Sequence, residues 1–214
     1  MMRHAVRLIL LCAIAALLLG AAWPEQAVLR PETPTDDNFA RALSLEGDTL
    51  LVSAAVDTLP GPLDEAGSVH VFERSGDTWT RTAFLTASDA TDLQHFGWAS
   101  RLAGDEAFIG APAPYGPTRT GSVYLFERDA AGWSETDKLI ASDDTLYTGF
   151  GSSIATTGDT LLVGAPYRDG GGAVYVFERT GGTWTETDIL TASNASTDDA
   201  FGISIEVEGD TAVI

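Results

Sequence analysis

Short runs rich in Val, Tyr, Phe, Thr and Trp, set between Gly, Asp and Ser, fill the chain from Phe39 to its end. Such runs between turn-forming residues predict β-strands joined by tight hairpins. No segment after residue 22 keeps a sustained helical period. The pattern also repeats. Phe39, Phe96, Phe150 and Phe201 each open a copy, the last three as Phe-Gly. Eight residues later stands a Gly-Asp pair, at Gly47-Asp48, Gly104-Asp105, Gly158-Asp159 and Gly209-Asp210. An apolar run then ends in Ser53-Ala54-Ala55, Gly110-Ala111-Pro112 or Gly164-Ala165-Pro166. Next come GSVHVFER from Gly67, GSVYLFER from Gly121 and GAVYVFER from Gly172. A tryptophan (Trp79, Trp133, Trp184) and a leucine six residues on (Leu85, Leu139, Leu190) close each copy. The Phe-to-Phe spacings are 57, 54 and 51, and the whole difference falls between Gly-Asp and the following Gly-x-Val, where the gaps are 20, 17 and 14. One loop changes length while everything else stays in register, as a surface loop on a fixed scaffold does.

Each copy predicts four strands. The first runs from Phe to the Gly-Asp turn, and the second ends at the small-residue triplet, where Pro stops a ladder. The third is the x-Val-x-Val-Phe-Glu-Arg run, and the fourth starts near the tryptophan. In Val174-Tyr175-Val176-Phe177 both strand parities are apolar, so both faces of the unit are covered. A four-stranded antiparallel unit with two buried faces needs a like neighbour on each side, and radial stacking of such units is a β-propeller. The small triplets let backbones approach closely. A β-helix is the rival architecture, but its rungs are much shorter than this repeat. The predicted fold is therefore all-β, a propeller of four-stranded blades.

The N-terminal residues differ. Arg3 and Arg7 precede an apolar run from Leu8 to Leu19, followed by Gly20, Ala21 and Ala22. This is the layout of a secretory signal peptide over 1–22, and the run is shorter than the roughly twenty residues of a membrane-spanning helix. Cys12 lies inside the run and no twin-arginine pair precedes it, so the general secretory route is expected. Trp23 and Leu29 repeat the Trp-to-Leu spacing of the later copies, so residues 23–38 read as an orphan fourth strand with its connecting loop. The remaining units are 39–95, 96–149 and 150–200 as whole repeats and 201–214 as the truncated start of a fourth. The chain thus reads as a fragment with three whole blades, secreted or displayed at a cell surface.

Without its leader the protein has no cysteine, so packing alone must hold it together. Its 31 acidic residues against the 10 basic residues left after Arg3 and Arg7 are removed give a mature net charge of −21. Such a field opposes nucleic acid and anionic membranes, so neither partner is expected, nor membrane insertion after cleavage.

At these residues the chain resembles the FG-GAP repeat family, which is related to the N-terminal propeller of integrin α subunits. Phe150-Gly151, Gly164-Ala165-Pro166 and Gly172–Glu178 carry the pattern, and its closest flavour is the bacterial type without a calcium loop. The resemblance implies a propeller, commonly of seven blades, and a role in extracellular binding and adhesion. Phe39-Ala40 and Ser53-Ala54-Ala55 depart from the motif. Calcium-binding members have an Asp-rich loop where this chain has only a Gly-Asp turn, too few oxygens for the six to eight that calcium takes. Kelch propellers place a Gly pair where this chain has Glu73-Arg74, Glu127-Arg128 and Glu178-Arg179.

Catalytic chemistry is sparse. His70 replaces Tyr124 and Tyr175 in the third strand, and His95 precedes Phe96 with no metal-site spacing. No serine sits in a G-x-S-x-G elbow, and Gly170-Gly171-Gly172 joins two strands, which reads as a flexible loop rather than a phosphate cradle. Paired carboxylates recur before the opening Phe: Asp36-Asp37, Asp143-Asp144 and Asp198-Asp199, with Asp89 and Asp92 before the second copy. They are either an acidic rim for a cation or basic partner, or turn residues bonding their own backbone. Trp98 has no counterpart, since Arg41, Ser152 and Ile203 take its place, and so it is the candidate aromatic ligand contact. Asn194-Ala195-Ser196 forms a glycosylation sequon. These features point to an exported, non-catalytic scaffold, without cofactor or metal, that binds an extracellular protein or glycan. The alternatives are the propeller part of a secreted enzyme with catalytic residues beyond Ile214, and a structural cell-surface module.

Overall fold

The computed structural model describes residues 28–29, 38–61, 63–113, 120–143, 146–197 and 199–214. The leader 1–22, Trp23, Asp36, Asp37, Asp144 and Asp198 lie outside the described residues.

Each repeat folds into one antiparallel sheet whose strands follow chain order. Blade 1 is β1 (Phe39–Glu46), β2 (Thr49–Ala54), β3 (Ser68–Ser75) and β4 (Thr78–Leu85). Blade 2 is β5 (Ala99–Ala103), β6 (Glu106–Ala111), β7 (Ser122–Asp129) and β8 (Gly132–Leu139). Blade 3 is β9 (Ser153–Thr157), β10 (Thr160–Ala165), β11 (Ala173–Thr180) and β12 (Thr183–Leu190). A fourth blade begins with β13 (Glu206–Glu208) and β14 (Thr211–Val213). The first strands β1, β5, β9 and β13 stand side by side, which puts the fourth strands at the outside. The molecule is an incomplete β-propeller. Among the described residues no helix is long and apolar enough to cross a membrane.

The Gly-Asp pairs are two-residue hairpin loops, closed by Glu46↔Thr49 and its equivalents. Gly47 sits at φ +56°, in the first central position, while Asp48 is not left-handed. That is the II′ arrangement, whose twist matches the flanking strands and which favours Gly at this position.

Apolar residues of both parities are buried, but in different seams. Tyr124 and Phe126 of β7 face blade 1 and meet Leu51, Val69 and Val71. Val123 and Leu125 face blade 3 and meet Phe150, Ile154, Leu161 and Tyr175. Leu29 packs on Leu50, Val52 and Phe72 of blade 1, the place that Leu85 takes on blade 2. It therefore occupies the position expected of a preceding fourth strand.

The close approach expected of the small residues is made to the next blade. A Cβ on Gly110 would collide with the carbonyl oxygen of Gly151, and one on Gly164 with that of Gly202. The expectation of a flexible loop at Gly170–Gly172 needs correction. Gly171 accepts a hydrogen bond from the Phe201 N–H at 2.8 Å, and a Cβ on Gly172 would strike the Phe201 backbone. These glycines fasten blade 3 to blade 4.

The fourth strands share a feature that the hydrophobic pattern does not show. Each has a bulge opposite the same place in the third strand, between Val71 and Phe72, Leu125 and Phe126, and Val176 and Phe177. The extra residue is Thr82, Thr136 or Thr187. A bulge adds local twist, and its recurrence makes it part of the blade's design.

Candidate functional site

Antiparallel order sorts the loops onto two ends of the blades. The connections from β4 to β5, β8 to β9 and β12 to β13 emerge at one end, together with the variable-length loops after β2, β6 and β10. The Gly-Asp turns and the β3–β4, β7–β8 and β11–β12 turns lie at the other.

The turn end is built from one repeated unit. Arg74 Nε donates to Asp48 at 2.7 Å, Arg128 Nε to Asp105 at 2.9 Å and Arg179 Nε to Asp159 at 2.8 Å. The three guanidiniums lie 5.7, 5.5 and 4.9 Å from the ring centres of Trp79, Trp133 and Trp184. Two of them also cross to the preceding blade. Arg128 Nη1 reaches Glu73 Oε1 at 3.1 Å, and Arg179 Nη1 reaches Glu106 Oε1 at 2.6 Å. Hydrogen bonds donated to Asp105 and Asp159, above all, raise the pKa of the two arginines further. A calcium ion does not fit here. Each turn supplies one carboxylate, which an arginine already holds, against the six to eight oxygens of a calcium cage.

At the loop end the predicted acidic residues fall in the connecting loops. The Asp143 side chain is 25% exposed; it accepts from the Tyr175 hydroxyl at 2.9 Å and from Arg168 Nε at 2.9 Å. Asp199 closes a local turn by accepting from the Ser196 N–H and hydroxyl at 2.7 and 2.8 Å. The structure does not bring these two together: Asp143 ties its loop to blade 3, and Asp199 shapes its own loop. Asp89 accepts from the Tyr124 hydroxyl at 2.6 Å and from Lys138 Nζ at 2.7 Å. Burial works to raise the Asp89 carboxyl, but the bonds from Lys138 and Tyr124 outweigh it and leave its pKa lowered. Burial first, then the Asp partner, pushes the Tyr124 and Tyr175 hydroxyls far above the ordinary phenol range.

A second latch went unnoticed in the sequence although it recurs there. Ser88 donates both its N–H and its hydroxyl to Glu135 of the next blade, at 2.8 and 2.7 Å, and Ser142 does the same to Glu186 at 2.8 and 2.6 Å. Ser three residues after the closing Leu, and Glu two after the Trp, were the available signal. His70 is buried among Phe39, Phe72 and Phe84, with Arg81 Nη1 3.2 Å from its Nδ1.

Trp98 stands where β5 begins, half-buried at the loop end. Its N–H bonds to the Gly110 carbonyl at 3.1 Å. The His95 ring stacks on it at 5.6 Å and 12°. His95 is itself only 4% exposed and sits 3.0 Å from Glu65 in the loop after β2. The Arg41 guanidinium of blade 1 lies 4.1 Å from the Trp98 ring centre. Arg41, Trp98 and His95 thus form a stack across the first blade junction. Exposed Leu146, Tyr147, Tyr167 and Ile203 occupy the same end in blades 3 and 4 and their connections. Among the described residues no group of three or more His, Cys, Asp or Glu could hold a metal ion.

A family profile described as FG-GAP repeat matches residues 23–72, 79–126, 133–177 and 184–214. Each match opens at a tryptophan, so a sequence repeat holds the fourth strand of one blade and the first strands of the next. Over 101 residues the chain is 37% identical to integrin alpha-7 of Rattus norvegicus, covering 42% of this chain and 9% of that protein. Integrin alpha-7 of Homo sapiens is 36% identical over 101 residues, again 42% of this chain and 8% of that protein. The matched region therefore spans less than a tenth of the length of these relatives.

Proposed function

This chain belongs to the FG-GAP repeat family, and we propose that it is an exported, non-catalytic scaffold that binds an extracellular protein or glycan through its loop end. One observation supports this above others. The loops after β2, β6 and β10 differ in length, with gaps of 20, 17 and 14, while the seams and turns beneath them keep register. A frame that holds still while loops at one end diversify suits recognition. Trp98 is the residue of that end offered first to a ligand. Asp143 and Asp199 contribute less, because their oxygens are already engaged, by Tyr175 of β11 and by Ser196 of the same loop. Asp36, Asp37, Asp144 and Asp198 belong to the same connecting loops by sequence.

The test is binding of the purified protein to immobilised matrix proteins and to a glycan array. Loop-end substitutions Trp98→Ala and Tyr167→Ala should weaken the leading interaction at least tenfold, and Glu46→Gln at the turn end should leave it unchanged. Equal loss at both ends, or none at either, would count against the loop end. Export has its own check. N-terminal sequencing of the mature protein should begin at Trp23, and an intact Met1 on a membrane-bound product would refute the leader.

A further inference from the structure

We propose that Arg41, set over the Trp98 ring, receives an acidic side chain of a protein partner. The proposal rests on the binding role given above and names the chemistry of one contact.

Cations are scarce in this chain, with 12 Lys and Arg against 31 Asp and Glu. Arg74, Arg101, Arg128, Arg168, Arg179 and Lys138 each pair with a carboxylate, and Arg81 is engaged by the buried His70 ring and Phe84. Arg41 is exposed and pairs with none among the described residues; the contact it makes is the stack on Trp98 at 4.1 Å. In so acidic a protein an exposed arginine whose contact is an aromatic ring rather than a carboxylate stands out. Its surroundings are rigid rather than loose. Trp98 is fixed by its backbone bond to Gly110 and by the buried His95 ring, which Glu65 holds in turn. A cation over an aromatic face is held by the ring without using its N–H donors. Among the described residues no carboxylate takes the Arg41 guanidinium donors, so they are open in the fork that fits a carboxylate. Pre-orientation lowers the entropy lost when that fork is filled.

The position itself is not part of the blade's packing code. Arg41, Trp98, Ser152 and Ile203 are equivalent and all differ, whereas Trp79, Trp133 and Trp184 are kept. The nature of the partner follows from charge and composition. A net charge of −19 repels a polyanionic glycan, so the carboxylate must come singly, from a segment that is otherwise neutral or basic. Trp, Tyr and Arg are the side chains that dominate binding energy at protein interfaces, and Tyr147 and Tyr167 stand exposed at the same end.

A random-peptide display library selected on the full-length protein provides the probe. Enriched peptides should contain Asp or Glu, and changing that residue to its amide should weaken binding at least tenfold. Arg41→Gln should cause the same loss, and combining the two changes should cost little more than either alone. Trp98→Ala should weaken binding and Trp98→Phe, which still stacks on a guanidinium, should restore most of it. Both variants and Arg41→Gln should melt with the parent protein, which separates a lost contact from a lost fold. Peptides that bind at the loop end, lose binding in Tyr167→Ala and ignore Arg41→Gln would overturn this proposal and leave the scaffold reading standing. Peptides indifferent to every loop-end change would overturn both. Binding of a sialylated glycan that Arg41→Gln abolishes, with no acidic peptide enriched, would overturn the choice of partner.

Discussion

Tyr124 and Tyr175 do the same work at successive junctions, each reaching from a third strand to an aspartate of the connecting loop. Their raised pKa values set a direction for stability. A hydroxyl harder to ionise when folded gives stability that is complete below the unfolded phenol pKa of about 10 and is lost as pH rises beyond it. Denaturant titrations from pH 8 to 11.5 should show a falling midpoint at the alkaline end, and a protein with Tyr124→Phe and Tyr175→Phe should show a shallower fall. A second prediction concerns Ala40, which takes the place of the Phe-Gly glycine at φ +67°. A left-handed conformation strains a side chain with a Cβ, so Ala40→Gly should stabilise by about 1 kcal/mol. Thermal melting would show this as a rise of about 3 °C, and a fall would show that Ala40 contributes more by packing than it costs in strain. The departure at Ala40 was readable in the sequence. The role of His95 was not, because its spacing matched no chemical motif and its partners Glu65 and Trp98 come from different loops.

At the scale of strands and turns, the Gly-Asp pair was legible as a hairpin, but its aspartate's task was not. Asp48, Asp105 and Asp159 pair with arginines more than twenty residues further along the chain or close to it, at separations of 26, 23 and 20. Only the folded sheet lays the second and third strands together so that turn, arginine and tryptophan meet. With each turn carboxylate held this way, a chelator should leave the melting temperature of the full protein unchanged. A drop of many degrees, restored by calcium and not by sodium at equal ionic strength, would overturn that. The bulge at Thr82, Thr136 and Thr187 was equally hidden, since one extra residue in a strand changes no hydrophobic pattern that a reader would notice. Backbone contact between blades gives a sharper expectation. Gly110→Ala drives a Cβ into the Gly151 carbonyl, and it should destabilise by about 3 kcal/mol, read from denaturant midpoints.

The whole molecule is where the sequence spoke most clearly, because four in-register copies with two apolar parities admit few architectures. Val123 and Tyr124 fall into different seams as that pattern required. Its open ends also have a consequence. Leu43 and Leu45 on β1 are 43% and 49% exposed, on the side where the equivalent Leu102 of β5 is buried against blade 1, and Val213 at the other end is 69% exposed. A protein of residues 23–214 is therefore expected to associate as salt screens its negative charge within about 10 Å at 0.1 M. Light scattering over a salt series would record this; a monomer at every salt concentration would mean that the arc shields its ends. Finally, the boundary between sequence repeats does not coincide with the boundary between blades, for each repeat opens at the outer strand of one blade and runs into the next. A gene duplication cut at those tryptophans would copy the fourth strand of one blade and the first three of the next, and the inserted length would fold as a full blade with Ser–Glu latches already matched on both sides. Such a ring can gain or lose members by recombination without a misfitting joint, so blade number is open to change by heredity while the joints stay the same.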